Sequence, residues 1–161
     1  RKRVSGERTP RATLSLRCEA AYGGRVTTIS PLAATLNVAL GGAVGAVLRY
    51  QLGRLTTHWL GVQAVTTFPW ATLAANAIGS FAMGLLAGLL ARHVPEGSEQ
   101  LRLLLGVGLL GGFTTFSAFS LELVLLIERG QFLIAFLYAV LSVSLGVSAL
   151  VVALTLTRVA A

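Results

Sequence analysis

Apolar residues run along this chain in four long stretches, separated by polar clusters. They are Leu32 to Leu52, Trp70 to Ala91, Leu101 to Ile127 and Phe132 to Thr157. A helix that crosses a membrane needs about 20 predominantly apolar residues. Each stretch reaches that length, so the pattern predicts an all-α integral membrane protein with four transmembrane helices. Residues 1–31 are polar, basic and without periodicity, and read as a largely disordered tail. Residues 32–158 form the four-helix transmembrane domain. Residues 54–69 read as a connector, with Trp59, Phe68 and Trp70 as interface aromatics. Residues 92–102 read as a polar loop.

The third stretch differs from the others. Its 27 residues would make a helix of about 40 Å, against a hydrocarbon core of about 30 Å. Gly111, Gly112 and the hydroxyls of Thr114, Thr115, Ser117 and Ser120 interrupt it near its centre. Paired glycines loosen a helix, and hydroxyls bond the backbone groups that a break frees. A break at membrane depth survives only where it is buried in protein or lines a wet cavity. The third helix is therefore predicted to break around Gly111–Thr115 and to face inward.

The other stretches carry polar residues at depth. The first holds Asn37, the small-residue face Gly41/Gly45, and Arg49 one turn from its end. Arg49 has two readings: an interfacial side chain beside Tyr50, or a charge lining an aqueous vestibule. The second holds Asn76 and the four-residue spacing Ser80, Gly84, Gly88. A buried carboxamide is costly unless bonded, so Asn76 is either interhelical glue or a donor inside a pathway. Glu122 follows the predicted break. In the fourth stretch Tyr138 and Ser142 share one helical stripe, and Ser144 and Ser148 another.

Composition agrees with this reading. Of 161 residues, 55% are hydrophobic and 12% charged, against about 25% charged in soluble domains. The single Cys18 excludes an intrachain disulfide and a multi-cysteine metal site. The net charge of +7 does not point to nucleic acid, because seven of thirteen basic residues sit in the tail with Tyr22 as the only interleaved aromatic. The remaining six divide evenly: Arg92, Arg102 and Arg158 on the side of the termini, Arg49, Arg54 and Arg129 on the other. The positive-inside rule then gives the body no preferred orientation, which permits antiparallel dimers; the tail biases the termini inward. Four helices also leave little mass to enclose a pathway alone, so oligomerisation is expected. No Ser–His–Asp set or carboxylate pair occurs among the intramembrane positions, and the histidines fall in connectors, so nothing marks an enzyme.

What remains at depth is a set of weak donors, suited to a small ion or polar solute. Phe116 and Phe119 lie on one helical face, and aromatic edges are electropositive. Ring edges with an amide N–H can hold a small anion without a fixed charge that would bind too tightly for throughput. Phenylalanines at this spacing also serve as ordinary packing, so the residues alone leave both readings open.

Three motifs, in order on the first three spans, resemble the CrcB/Fluc family of fluoride ion channels: Gly41 to Tyr50, Thr72 to Phe81, and Gly111 to Ser120 followed by Glu122. The resemblance covers about residues 35–157. It implies an antiparallel, dual-topology homodimer in the bacterial inner membrane, surrounded by lipid, that exports fluoride passively and gives fluoride resistance. By the match, the fluoride pore would comprise Phe116 and Phe119 with ring edges toward the ion, together with Asn76, Thr115, Ser117, Tyr138 and Ser142. Gly111 and Thr114 would bind a structural Na⁺ through backbone carbonyls at the dimer axis. Gly146 breaks the hydroxyl track of the fourth span, and Ala71 and Ala75 are mild departures. The tail is not part of the family pattern. The competing readings are a small dual-topology, proton-coupled drug exporter using Glu122, and a non-transporting assembly subunit. Phe68, on the connector, is expected to tolerate substitution by isoleucine.

Overall fold

The computed structural model describes residues 29–93 and 98–159. The expectation for tail residues 1–28, and for 94–97 of the 92–102 loop, lies outside the described residues; the rest of that loop, 92–93 and 98–102, is helical instead, continuing the helix before it and opening the next one. All regular elements among the described residues are helical. Helix α1 is Pro31–Thr67 and α2 is Trp70–His93. Helix α3 covers 98–113 and contains a π-helical stretch, Arg102–Leu110. Helix α4 is Phe116–Glu128 and α5 is Phe132–Val159. Among the described residues, four segments are long and apolar enough to cross a membrane, with α3 and α4 counting together as one.

The helix ends are legible in local chemistry. Ser30 caps α1, its hydroxyl accepting from Ala33 N at 3.3 Å, and Pro31 follows in the first turn. Helix α4 is closed just past its end by Gly130, whose φ of 73° is the left-handed conformation glycine favours. The Gln131 and Gly130 amides bond back to Leu126 O and Ile127 O, each at 2.9 Å.

One boundary differs from expectation. The apolar run predicts a first span ending at Leu52 and a connector over 54–69; the helix instead continues to Thr67, bent at Gly61, where φ is 80°. Arginines and aromatics end the membrane-embedded part of a helix. They do not end the helix, whose backbone bonds are satisfied in either medium. Only Phe68 and Pro69 separate α1 from α2, and Phe68 is extended, as a residue before proline prefers. Phe68 is also half-buried. Its ring packs edge-on to Tyr138, centroids 5.4 Å apart, against the core formed by Leu73, Leu126, Ala135 and Tyr138. Phe68→Ile would remove this edge-on contact with Tyr138 and is not a neutral substitution.

Glycines set the main helix contacts. Helix α1 lies along α3, and α2 along α5. A β-carbon at Gly41 or Gly45 would strike the carbonyls of Leu104 or Leu109. One at Gly112 would lie 2.6 Å from Gly42 O, and one at Gly84 the same distance from Leu150 O. Both small-residue faces are thus used within the chain, so they offer no support for a dimer contact. Outside these seams the helices bury little: 6–22% of each span's most apolar window is buried. The remaining apolar surface is left for lipid or another protein.

Candidate functional site

The break between α3 and α4 falls at Thr114 and Thr115, both extended, with ψ of 159° and 124°. It lies within the predicted stretch, but Gly111 and Gly112 are helical. The small size of Gly112 serves the crossing with α1, where a β-carbon would lie 2.6 Å from Gly42 O; one at Gly111 would meet only Gly106 O of its own helix, at 3.7 Å.

Asn76 of α2 holds the break open. Its Oδ1 accepts from Thr115 N at 2.8 Å, and its Nδ2 donates to Thr115 O at 3.0 Å. In a continuous helix Thr115 N would bond Gly111 O. Asn76 captures that donor and leaves the Gly111 carbonyl at an exposed helix end. Thr115 is buried, 8% exposed, so this two-bond clamp satisfies groups that solvent does not reach. Thr114 closes the end of α3, its amide and its hydroxyl both donating to Leu110 O at 2.9 and 2.8 Å. Gly79 makes room for it, since a β-carbon there would strike Thr114 Cγ2.

On the other side of the break Thr115 caps α4. Its Oγ1 accepts from Ala118 N at 3.2 Å and lies 3.2 Å from Ser117 Oγ. The first-turn amides of Phe116 and Ser117 have no intrahelical acceptor. Two helix ends of opposite polarity therefore meet at one place inside the membrane segment: carbonyls finishing α3, amides starting α4.

Phe116 and Phe119 stand on the first turn of α4, ring centroids 5.7 Å apart. Their surroundings differ. Phe116 is 80% exposed in the single chain. Phe119 packs on Tyr138, centroids 5.1 Å apart, and against the core. Phe116 joins Asn76, Ser80, Thr114 and Thr115 in lining a groove of about 290 Å³.

Glu122, one turn further along α4, is a second polar centre. Thr72 Oγ1 donates to its Oε1 and Tyr138 OH to its Oε2, both at 2.7 Å. Tyr138 is wholly buried and its hydroxyl is committed to this carboxylate, so it does not join Phe116 in the groove. Ser142 Oγ is buried without a hydrogen-bond partner among the described residues. Sequence reasoning passed over Thr72. The signal was present: Thr72, Asn76 and Ser80 follow one another at four-residue spacing on α2.

Arg49 lines an open cavity of about 810 Å³ with Arg54, His58, Arg129, Thr72 and Glu122. Arg129 also donates to Thr66 O at 3.2 Å, tying the end of α4 to the end of α1. No group of three or more His, Cys, Asp or Glu side chains able to hold a metal occurs among the described residues.

The comparisons with known proteins bear on the same residues. A family model described as CrcB-like protein, Camphor Resistance (CrcB), matches residues 36–154. A protein named "Fluoride-specific ion channel FluC" from Erythrobacter litoralis is 64% identical over 133 residues, 83% of this chain and 98% of that protein. Its namesake from Novosphingobium aromaticivorans is 56% identical over 127 residues, 79% of this chain and 98% of that protein. One from Phenylobacterium zucineum is 54% identical over 125 residues, 78% of this chain and 95% of that protein. The family match spans all four membrane segments, the helix break and its asparagine clamp, and on this ground the chain belongs to the CrcB family.

Proposed function

We propose that this chain is a fluoride-specific ion channel that lets fluoride leave the cell passively and so relieves its toxicity. It is not an enzyme. The observation that carries the reading is the helix break clamped by Asn76, with Phe116 and Phe119 on the first turn beyond it. Relatives matched over 95–98% of their own length are named fluoride-specific channels, which favours the channel over the drug exporter. Glu122, the residue the exporter would need, has both oxygens occupied by hydroxyls of its own chain.

The chemistry follows from desolvation. A small anion leaving water needs replacement donors. The start of α4 offers unbonded amides and the positive end of a helix dipole. Asn76 has a second N–H besides the one given to Thr115. The Phe116 and Phe119 edges add weak positive potential, and Thr115 and Ser117 add hydroxyls. None of these is a full charge, so the ion binds and leaves. The vestibule arginines, Arg49 among them, raise the local anion concentration. An inside-negative membrane potential drives the ion outward, with about 2.3 kcal/mol per charge for each 100 mV.

The working unit in this proposal is an antiparallel homodimer, of dual topology, in the bacterial inner membrane. Phe116 at 80% exposure and an exposed Gly111 are surfaces a second copy would complete. The even division of six arginines permits both orientations. Na⁺ fits the end of α3. Gly111 O is freed by the Asn76 clamp, and the Thr114 side chain is spent on Leu110 O, leaving its carbonyl as donor. A hard cation takes such neutral oxygens. Bound there, it would neutralise converging carbonyl dipoles and hold two copies together. Tyr138 and Ser142 belong to the polar route along α5, Tyr138 by way of Glu122.

Proteoliposomes loaded with fluoride, with a potassium gradient and valinomycin, provide the test. Fluoride should leave rapidly without nucleotide or proton gradient, and chloride should not. Absence of fluoride flux overturns the reading. Cysteine labelling of loop positions in cells should find chains in both orientations, and labelling from one side alone refutes the antiparallel dimer.

A further inference from the structure

We infer that Ser80 contacts the anion, supplying from α2 the hydroxyl that α5 lacks at Gly146. The inference rests on the channel reading. Thr72, Asn76 and Ser80 share one face of α2. Thr72 bonds Glu122 and Asn76 bonds Thr115. Ser80 makes no hydrogen bond to any described residue, and it lines the groove beside Asn76 and Phe116. On α5 the stripe that carries Tyr138 and Ser142 continues to Gly146, which has no side chain to offer. A β-carbon at Gly146 would lie 3.4 Å from Ser80 Oγ. The Ser80 hydroxyl therefore lies in contact with the place where a side chain at Gly146 would begin.

A second observation points the same way. Ser142, one helical turn before Gly146, has a buried hydroxyl without a partner among the described residues. Buried polar side chains are normally satisfied. Ser80 lines the groove that also holds Asn76 and Phe116, and on the facing helix Ser142 stands one turn before the Gly146 that Ser80 touches. A dehydrated small anion is a ligand that accepts from O–H donors and leaves no trace when absent. The sequence departure at Gly146 is thus compensated across the helix interface, by Ser80.

The test compares fluoride efflux from proteoliposomes for the wild-type protein, Ser80→Ala, Ser80→Thr, the double variant Ser80→Ala/Gly146→Ser, and Ser148→Ala as an exposed control on the other stripe. Ser80→Ala should slow efflux about tenfold, roughly the worth of one hydrogen bond to a charged group. Ser80→Thr keeps the hydroxyl and should retain flux. The double variant restores a hydroxyl from α5 and should recover most of it. Wild-type efflux by Ser80→Ala overturns the inference. So does a loss that neither Ser80→Thr nor the double variant repairs, because the position is then structural. If the wild-type protein itself moves no fluoride, the channel reading fails instead.

Discussion

Replacing Asn76 separates clamping from conduction. Asn76→Ala removes both hydrogen bonds to Thr115, a residue only 8% exposed. An unsatisfied buried amide or carbonyl costs about 1–3 kcal/mol. Two such groups make a loss of about 2–6 kcal/mol, unless α3 and α4 rejoin. Rejoining would return Thr115 N to Gly111 O, destroy the start of α4 and withdraw the freed carbonyl. Either outcome removes the site. Asn76→Asp differs. It keeps an acceptor for Thr115 N, now charge-assisted, but turns its second oxygen toward Thr115 O, where repulsion replaces a bond. It also places a negative charge in an anion route. Asn76→Ala should lower the thermal stability of the detergent-solubilised protein and cut fluoride efflux at least about tenfold, while Asn76→Asp should abolish efflux. Fluoride-electrode recordings and melting curves on the same preparations measure both. Wild-type efflux and an unchanged melting curve for Asn76→Ala would refute the clamp.

Three further outcomes are expected. Phe116→Ile should cut fluoride efflux with little effect on stability, because Phe116 is 80% exposed; Phe119→Ile should cut efflux and also destabilise by about 1–3 kcal/mol, because that ring packs on Tyr138. Wild-type rates in both variants would reduce the rings to packing. Gly45→Ala should abolish folded protein on gel filtration, since its methyl group would strike Leu109 O, whereas Gly53→Ala, with open space around it, should behave as wild type. Replacing Na⁺ by a large organic cation should weaken activity and dimer stability, with Thr114→Ser tolerated because it keeps the bond to Leu110 O; indifference to the replacement removes support for the central ion.

Much of this molecule is written locally. Four membrane spans follow from apolar runs, because lipid offers no partner for backbone groups and each span must bond its own. The interruption of the third span follows from its excess length and its Gly and hydroxyl residues, all within one stretch. The three-motif resemblance pointed to the right family for the same reason: its residues lie close together in sequence. What tertiary structure decided are the partners. The break sits at Thr114 and Thr115, not at the glycines, because Asn76, 39 residues away, takes the Thr115 amide. Gly41, Gly45 and Gly112 are small because α1 and α3 backbones touch there, which no spacing within one helix specifies. Glu122 becomes a hydroxyl-bound centre only when Thr72 and Tyr138, 50 and 16 residues distant, are brought to its two oxygens. Helix α1 outlasts its apolar run because hydropathy reports the surrounding medium, while helix length is set by backbone bonding, which continues in water until Pro69 forbids it.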